Sequence, residues 1–227
     1  MFSFSGGGAT PMPIVNSIFT GNSSVSDGGA LFSDLTILDL INCTFSLNTG
    51  GSRGGGLYNY VGCAVTVTNS VFRDNSDMFG AGEESQAYNN PSNLLSLNHT
   101  CVQGWTGSLG GVNNTGADPQ LVDPLGPDGS AGTEDDNLRL ASGSPCIDAG
   151  DNAVVIETLD LDGNPRIVDH DGDGTATVDM GAYEAQPSGG PVPTVSEWGM
   201  IVMTILLIAA GTIILRYRQP RAVQGAF

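Results

Sequence analysis

One recurrent spacing constrains this chain more than any other feature. Asn16-x-x-Phe19-x-x-Asn22 returns as Asn42-x-x-Phe45-x-x-Asn48 and again as Asn69-x-x-Phe72-x-x-Asn75. A decayed copy reads Asn98-x-x-Cys101-x-x-Gly104, and the start-to-start steps are 26, 27 and 29 residues. Twelve residues after each of the first two starts comes a second match, Gly28-Gly-Ala-Leu31-Phe and Gly54-Gly-Gly-Leu57-Tyr. Two motifs holding one offset mark a structural repeat. The segments before the Asn alternate, with Val65 and Val67 on one face, Thr66 and Thr68 on the other, and Leu38 and Leu40 in the equivalent places one copy earlier. Period-2 alternation punctuated by Gly, Asn and Asp reads as short strands and turns.

A unit of this length, with short strands and no helix, is one coil of a parallel β-helix, which buries its apolar face only by stacking on its neighbours. Three to four coils are expected. Phe19, Phe45 and Phe72 then lie above one another at about 4.8 Å per layer. Asn16, Asn42 and Asn69 are expected to form a ladder of amides bonded along the stack. Arg53 and Asp27 hold equivalent positions one coil apart and should pair as a surface salt bridge. Glu84 stands where Leu31 and Leu57 stand in earlier copies. A buried carboxylate is costly, so stacking of that face should stop near Gly82, with Ser85–Asn93 as a loop over the end.

These residues resemble the right-handed parallel β-helix proteins of the pectate-lyase-like superfamily, over about Pro11 to Gly104. The resemblance implies the fold far more than an activity. Enzymes of that group cleave acidic polysaccharides with Ca²⁺-binding acids and a basic residue on one face. Here Arg73, Asp74 and Asp77 on one turn are the weak counterpart, and no catalytic residue is assigned.

Charge narrows the partners. Lysine is absent, seven arginines face 24 acids, and the net charge is −17. That excludes a nucleic-acid partner, which needs clustered basic residues. Sixteen of the acids lie between Asp118 and Glu184. The four cysteines, Cys43, Cys63, Cys101 and Cys146, lack C-x-x-C spacing and read as packed thiols more than as a disulfide framework.

In this acidic stretch Asp169-His-Asp171-Gly-Asp173-Gly174 places carboxylates at alternate positions of a turn, the arrangement of Ca²⁺ loops. Position 12 of a full loop is Met180, with Asp179 one residue early, so Asp169, Asp171, Asp173 and Asp179 are the candidate ligands. Leu138-x-Leu140, Ser144-Pro-Cys-Ile-Asp148-Ala-Gly, Asp162-Gly-Asn-Pro-Arg166 and Asp179-Met-Gly-Ala-Tyr-Glu184 resemble the choice-of-anchor Q module. That module follows β-helix repeats, which implies a cap and connector. A small residue is frequent at the Cys146 position in similar sequences, in keeping with a packed thiol.

The end of the chain has three parts. A Pro/Gly/Ser linker leads to Pro193, Thr194, Ser196, Glu197, Trp198 and Gly199, then to an apolar run from Met200 to Leu215, then to Arg216, Arg218 and Arg221. Such a run is at the short end of what spans a bilayer, and arginines on one side only put the C-terminus in the cytoplasm. This order resembles the IPTL-CTERM sorting signal of Gram-negative bacteria. It implies a transmembrane helix at 199–215 that inserts in the inner membrane and is removed by an exosortase-type membrane peptidase. Met1–Gly8 carries neither a basic n-region nor a long apolar run, so it does not read as a signal peptide. It suggests a truncated chain or a misplaced start.

The expected organisation is all-β. Residues 1–117 form the last coils of a right-handed parallel β-helix, 118–185 an acidic β-rich cap, 186–195 a linker and 196–221 the sorting signal. The expected function is that of an exported, non-catalytic surface or secreted protein contacting glycans or matrix. The alternative is the C-terminal fragment of a polysaccharide lyase or hydrolase with catalytic coils upstream.

Overall fold

The computed structural model describes residues 2–5 and 10–187. It is a parallel β-solenoid with three four-stranded sheets, so each sheet receives one strand from each of four turns. The first sheet holds Phe2–Ser5, Leu31–Asp34, Leu57–Asn59 and Ala87–Asn89. The second holds Met12–Val15, Ile37–Ile41, Ala64–Thr68 and Leu94–Asn98. The third holds Ile18–Thr20, Thr44–Ser46, Val71–Arg73 and Cys101–Val102. Among the described residues the helices are a single turn at Glu83–Gln86 and a 3-10 turn at Asn152–Val154. No helix there is long and apolar enough to cross a membrane.

The repeat sets the register. Phe19 pairs with Phe45 and Phe45 with Phe72. Their rings stack 4.5 Å apart at 6° and 4°, and Phe2 closes the column edge-on at 5.7 Å. Phe72 is followed in the next turn by Val102, and Val71 by Cys101. The fourth copy of the motif is therefore His99-x-x-Val102, one residue later than the sequence pattern suggests. Cys101 faces outward.

The two asparagines of the motif divide the work differently from expectation. Asn16, Asn42 and Asn69 sit at the corner between the second and third sheets with φ of 47°, 52° and 52°, and His99 takes the same place at 46°. Asparagine tolerates this left-handed backbone better than most residues. Their side chains do not form the amide ladder; apart from a long 3.5 Å bond from Asn42 to Asn69 O, they turn outward to the acidic region. The ladder belongs to the second asparagine. The Nδ2 of Asn22 donates to Asn48 Oδ1 at 3.0 Å, Asn48 to Asn75 Oδ1 at 2.8 Å and Asn75 to Gln86 Oε1 at 2.9 Å. Asn48 and Asn75 also donate to the carbonyls of Phe19 and Phe45, and their Oδ1 atoms accept a backbone N–H from the turn before. Every donor and acceptor of these two fully buried amides is thus used.

The third turn does not end where Glu84 appeared to end it. The helical turn Glu83–Gln86 inserts extra residues, so Ala87 and not Glu84 follows Leu57 in register. Glu84 is exposed. Residues Ala87–Asn89 continue the first sheet instead of belonging to a terminal loop. The end is covered farther on, where Trp105 and Leu109 pack on the core. Glu83 holds that cover by accepting bonds from the Thr106 N–H and hydroxyl and the Leu109 N–H. Burial works to raise the Glu83 carboxyl, but these donors outweigh it and hold it below the usual carboxylate range. Nor do Arg53 and Asp27 form a side-chain ion pair. Asp27 accepts the Arg53 backbone N–H at 3.1 Å, and the guanidinium lies 4.8 Å over Phe79 and 4.6 Å over Tyr88.

The acidic region is not confined to the end of the solenoid. It runs along the flank, covering the outer face of the third sheet and the corner beside it. Ala131 and Gly132 reach Gly21 in the first turn, while Ala149 meets His99 in the last. This cover explains why Thr44, Phe45 and Ser46 are all buried, where a strand with one wet face would alternate. Its own strands are short antiparallel pairs, Leu121–Asp123 with Asn137–Leu140 and Ile167–Val168 with Thr177–Val178.

Candidate functional sites

Three groups of charged side chains lie on or beside this flank. The first is the hairpin loop between Ile167–Val168 and Thr177–Val178. Gly172 and Gly174, at φ of 78° and 94°, let the chain curl tightly. Asp169 accepts the N–H groups of Gly172 and Gly174 at 2.7 and 3.0 Å, Asp171 that of Asp173 at 3.0 Å, and Asp173 that of Thr175 at 2.7 Å. One oxygen from each of the three carboxylates lies within 4.8 Å of the others. Hard oxygens gathered this way suit a divalent cation of the Ca²⁺ type.

Asp179 does not join them. It is fully buried, and its two oxygens accept the N–H groups of Asp148 and Ala185 at 2.8 and 2.6 Å. The acid that approaches the loop is Asp148, whose carboxylate oxygens are enclosed without a geometrically complete hydrogen bond. Burial raises its carboxyl, the backbone of His170 counters this, and the charge of Asp171 adds to the rise. Asp148 was invisible as a neighbour of this loop, because it is distant in sequence and its motif read as scaffold. Its backbone is left-handed, with φ of 52°.

The second group is the buried heart of the acidic region. Arg166, Asp160, Asp179 and Glu184 are 1%, 6%, 0% and 5% exposed. Arg166 Nη2 donates to Gly181 O, and Nη1 lies 3.9 Å from Glu184 Oε2. Asp160 accepts N–H groups of Asp162, Asn164 and Glu184, and Glu184 accepts that of Asp179. One guanidinium cannot neutralise three carboxylates. Burial, reinforced by the charge of Asp179, pushes Glu184 up to about 9. Burial likewise raises Asp179 to about 6, against the pull of the backbone donors from Ala185 and Asp148.

The same segment grips the solenoid corner. Asn16 Nδ2 donates to Leu159 O at 2.7 Å, Asn42 Nδ2 to Asp179 O at 3.0 Å and Asn69 Nδ2 to Asp151 O at 3.0 Å, while His99 Nδ1 lies 3.3 Å from Ala149 O. In return Asp151 and Gly181 donate to Asn69, and Ala182 donates to Thr44 Oγ1 at 3.0 Å.

The third group corrects the Arg73, Asp74 and Asp77 patch. Arg73 lies 3.3 Å from both Asp74 and Asp118 at a cleft of about 210 Å³ shared with Gln120, Leu121 and Pro124. Asp77 is elsewhere, accepting from Gly54, Phe79 and Ser85. Asp118 escaped detection because it belongs to the acidic segment and reaches the turn only in the fold. The sorting-motif residues Pro193, Thr194, Ser196, Glu197, Trp198 and Gly199, the span 199–215 and Arg216, Arg218 and Arg221 lie outside the described residues.

Compared with protein-family models, curated proteins and solved structures, the chain matches none. The candidate sites are therefore read from their own geometry.

The buried acids give a pH test. Glu184 has a native pKa raised above its ordinary value, so between about 4.5 and about 9 the native state holds more protons than the unfolded chain. This contribution to stability is full at the acid end of that window and is lost as pH rises through about 9. Melting temperature followed across the window should fall with pH, and Glu184→Gln should flatten the fall. An unchanged slope in that variant contradicts the assignment.

Proposed function

We propose that this protein is an exported, non-catalytic β-solenoid of the bacterial cell surface or secreted medium, contacting glycans or extracellular matrix. What carries this is the use already made of its cations. Among the described residues Arg53 rests on two aromatic rings, Arg73 and Arg139 are paired with aspartates, and Arg166 is buried. Acidic-polysaccharide cleavage requires a basic group offered to substrate, and each of these is held by its own neighbours. In this reading the coils are right-handed, residues 118–185 are a choice-of-anchor Q-like module, and 196–221 are an IPTL-CTERM-like signal. The protein passes through a Gram-negative inner membrane by its helix 199–215, C-terminus in the cytoplasm, before an exosortase-type peptidase releases it.

One observation favours the second reading, a fragment of a polysaccharide lyase or hydrolase. The Arg73 cleft holds two partly exposed aspartates beside a guanidinium. Arg73→Ala should leave no polysaccharide-cleaving activity to lose. A measurable activity abolished by that change would transfer the proposal to the enzyme.

Ca²⁺ is the proposed ligand of Asp169, Asp171 and Asp173, with Asp148 behind them and Asp179 excluded by its buried backbone bonds. Adding millimolar-range Ca²⁺, the affinity range of extracellular sites, should raise the melting temperature of the full-length chain, and chelation should reverse it. Asp171→Ala should remove most of the response. An equal response in that variant places the ion elsewhere.

Export and processing are tested by C-terminal peptide analysis of the mature protein from its native host. The expected product ends near Pro193–Trp198. Full-length surface protein retaining Arg216–Phe227 would indicate a permanent single-pass anchor instead.

A further inference from the structure

The four cysteines occupy different environments. Cys43 lies in the core inside the coils, and Cys63 is buried at another corner with its thiol on Val61 O. Cys101 and Cys146 belong to a separate cluster with Val71 and Met180, in the seam between the third sheet and the acidic segment. Both are fully buried. Cys101 is the outward residue of the last strand of that sheet, opposite Val71, and its N–H donates to Ser70 O at 2.9 Å. Cys146 is held from the other side, its N–H on Ser144 Oγ at 3.1 Å and its carbonyl accepting Met180 N–H at 3.0 Å.

The Cys101 thiol donates to Ala117 O at 3.1 Å, and Cys146 lies with it in the same small cluster. Interaction with Cys146 raises Cys101, and interaction with Cys101 lowers Cys146. Burial further raises Cys101 and opposes the fall at Cys146. Chain segments far apart in sequence have been brought to one point by the docking of the flank, and backbone bonds fix both ends.

We propose that Cys101 and Cys146 close a disulfide that staples the acidic segment to the solenoid, while Cys43 and Cys63 stay reduced. Both thiols lose their protons, one S–S bond forms, and the two electrons pass to a disulfide oxidant such as oxidised glutathione, which leaves as two thiols. The exchange occurs as the flank docks, before the seam is closed to solvent. Because it needs only an oxidising thiol buffer, its test is independent of whether the protein is exported.

The full-length chain is refolded with oxidised and reduced glutathione, unfolded, alkylated with iodoacetamide and digested. The expected result is a mass two hydrogens below the reduced protein, alkylation at Cys43 and Cys63 only, and one cross-linked peptide joining Cys101 to Cys146. The oxidised protein should melt roughly 5–10 °C higher than after reduction. Cys101→Ser should abolish this difference and Cys63→Ser should keep it. Alkylation of all four cysteines, or a link involving Cys43 or Cys63, overturns the proposal without any variant needing to fold.

Discussion

The buried amide ladder of Asn22, Asn48, Asn75 and Gln86 is the constraint from which the rest of the structure follows. A stack of phenylalanines is apolar and largely indifferent to small slips between layers. An amide with four hydrogen-bonding positions is not. Leaving one buried donor or acceptor unpaired costs about 1–3 kcal/mol. Asn48 and Asn75 meet all of theirs only when each turn sits directly over the last. The ladder therefore fixes register, and the ring column at 4.5 Å spacing fills the space that register creates. Gln86 ends the ladder on the side where the turn Glu83–Gln86 departs from the repeat, its longer side chain reaching back to Asn75 O and Ala81 O.

Once register is set, the corner row is set too. Asn16, Asn42, Asn69 and His99 arrive at one edge with like backbone geometry and present polar side chains outward. A row of unspent amides on a flank invites a chain that offers backbone carbonyls, and Leu159, Ala149, Asp151 and Asp179 supply them. The acidic segment thereby covers residues that a bare solenoid would leave wet, and its own Arg166 and carboxylates are sealed in the same step. Charges buried this way are costly alone and tolerable only with their partners in place, so the segment depends on the solenoid it braces. Gly181, at φ of 106° and with a Cβ position only 3.0 Å from Thr44 Oγ1, shows how close that approach is.

The fold was legible because a solenoid writes its period into the chain. Phe19, Phe45 and Phe72 announced the stack, and their spacing held to the register observed. Which asparagine of the motif faced inward was not legible, because both recur at the same period and only the corner's left-handed backbone separates them. The fourth copy was misaligned by one residue because Asn98 and Cys101 imitate the motif where His99 and Val102 occupy it. Glu84 misled for a related reason: it lies within an inserted helical turn that moves the next strand on to Ala87, and a fixed offset cannot detect an insertion. At the sites, Asp169, Asp171 and Asp173 were found because they are local. Asp148 was not, since it nears the loop only when the acidic segment folds on itself; nor were Asp118 and the pairing of Cys101 with Cys146, which join segments that meet only after the flank docks.

Native-state hydrogen exchange tests the central claim, that solenoid and acidic flank form one cooperative unit. The backbone N–H groups of Asn48 and Asn75 belong to the ladder, and those of Asp151, Gly181 and Ala182 to the seam. Both sets should exchange only through global opening, with a common free energy and a common dependence on denaturant. Seam amides that exchange orders of magnitude faster than the ladder, without unfolding it, would show the flank to be a separable appendage and contradict the account.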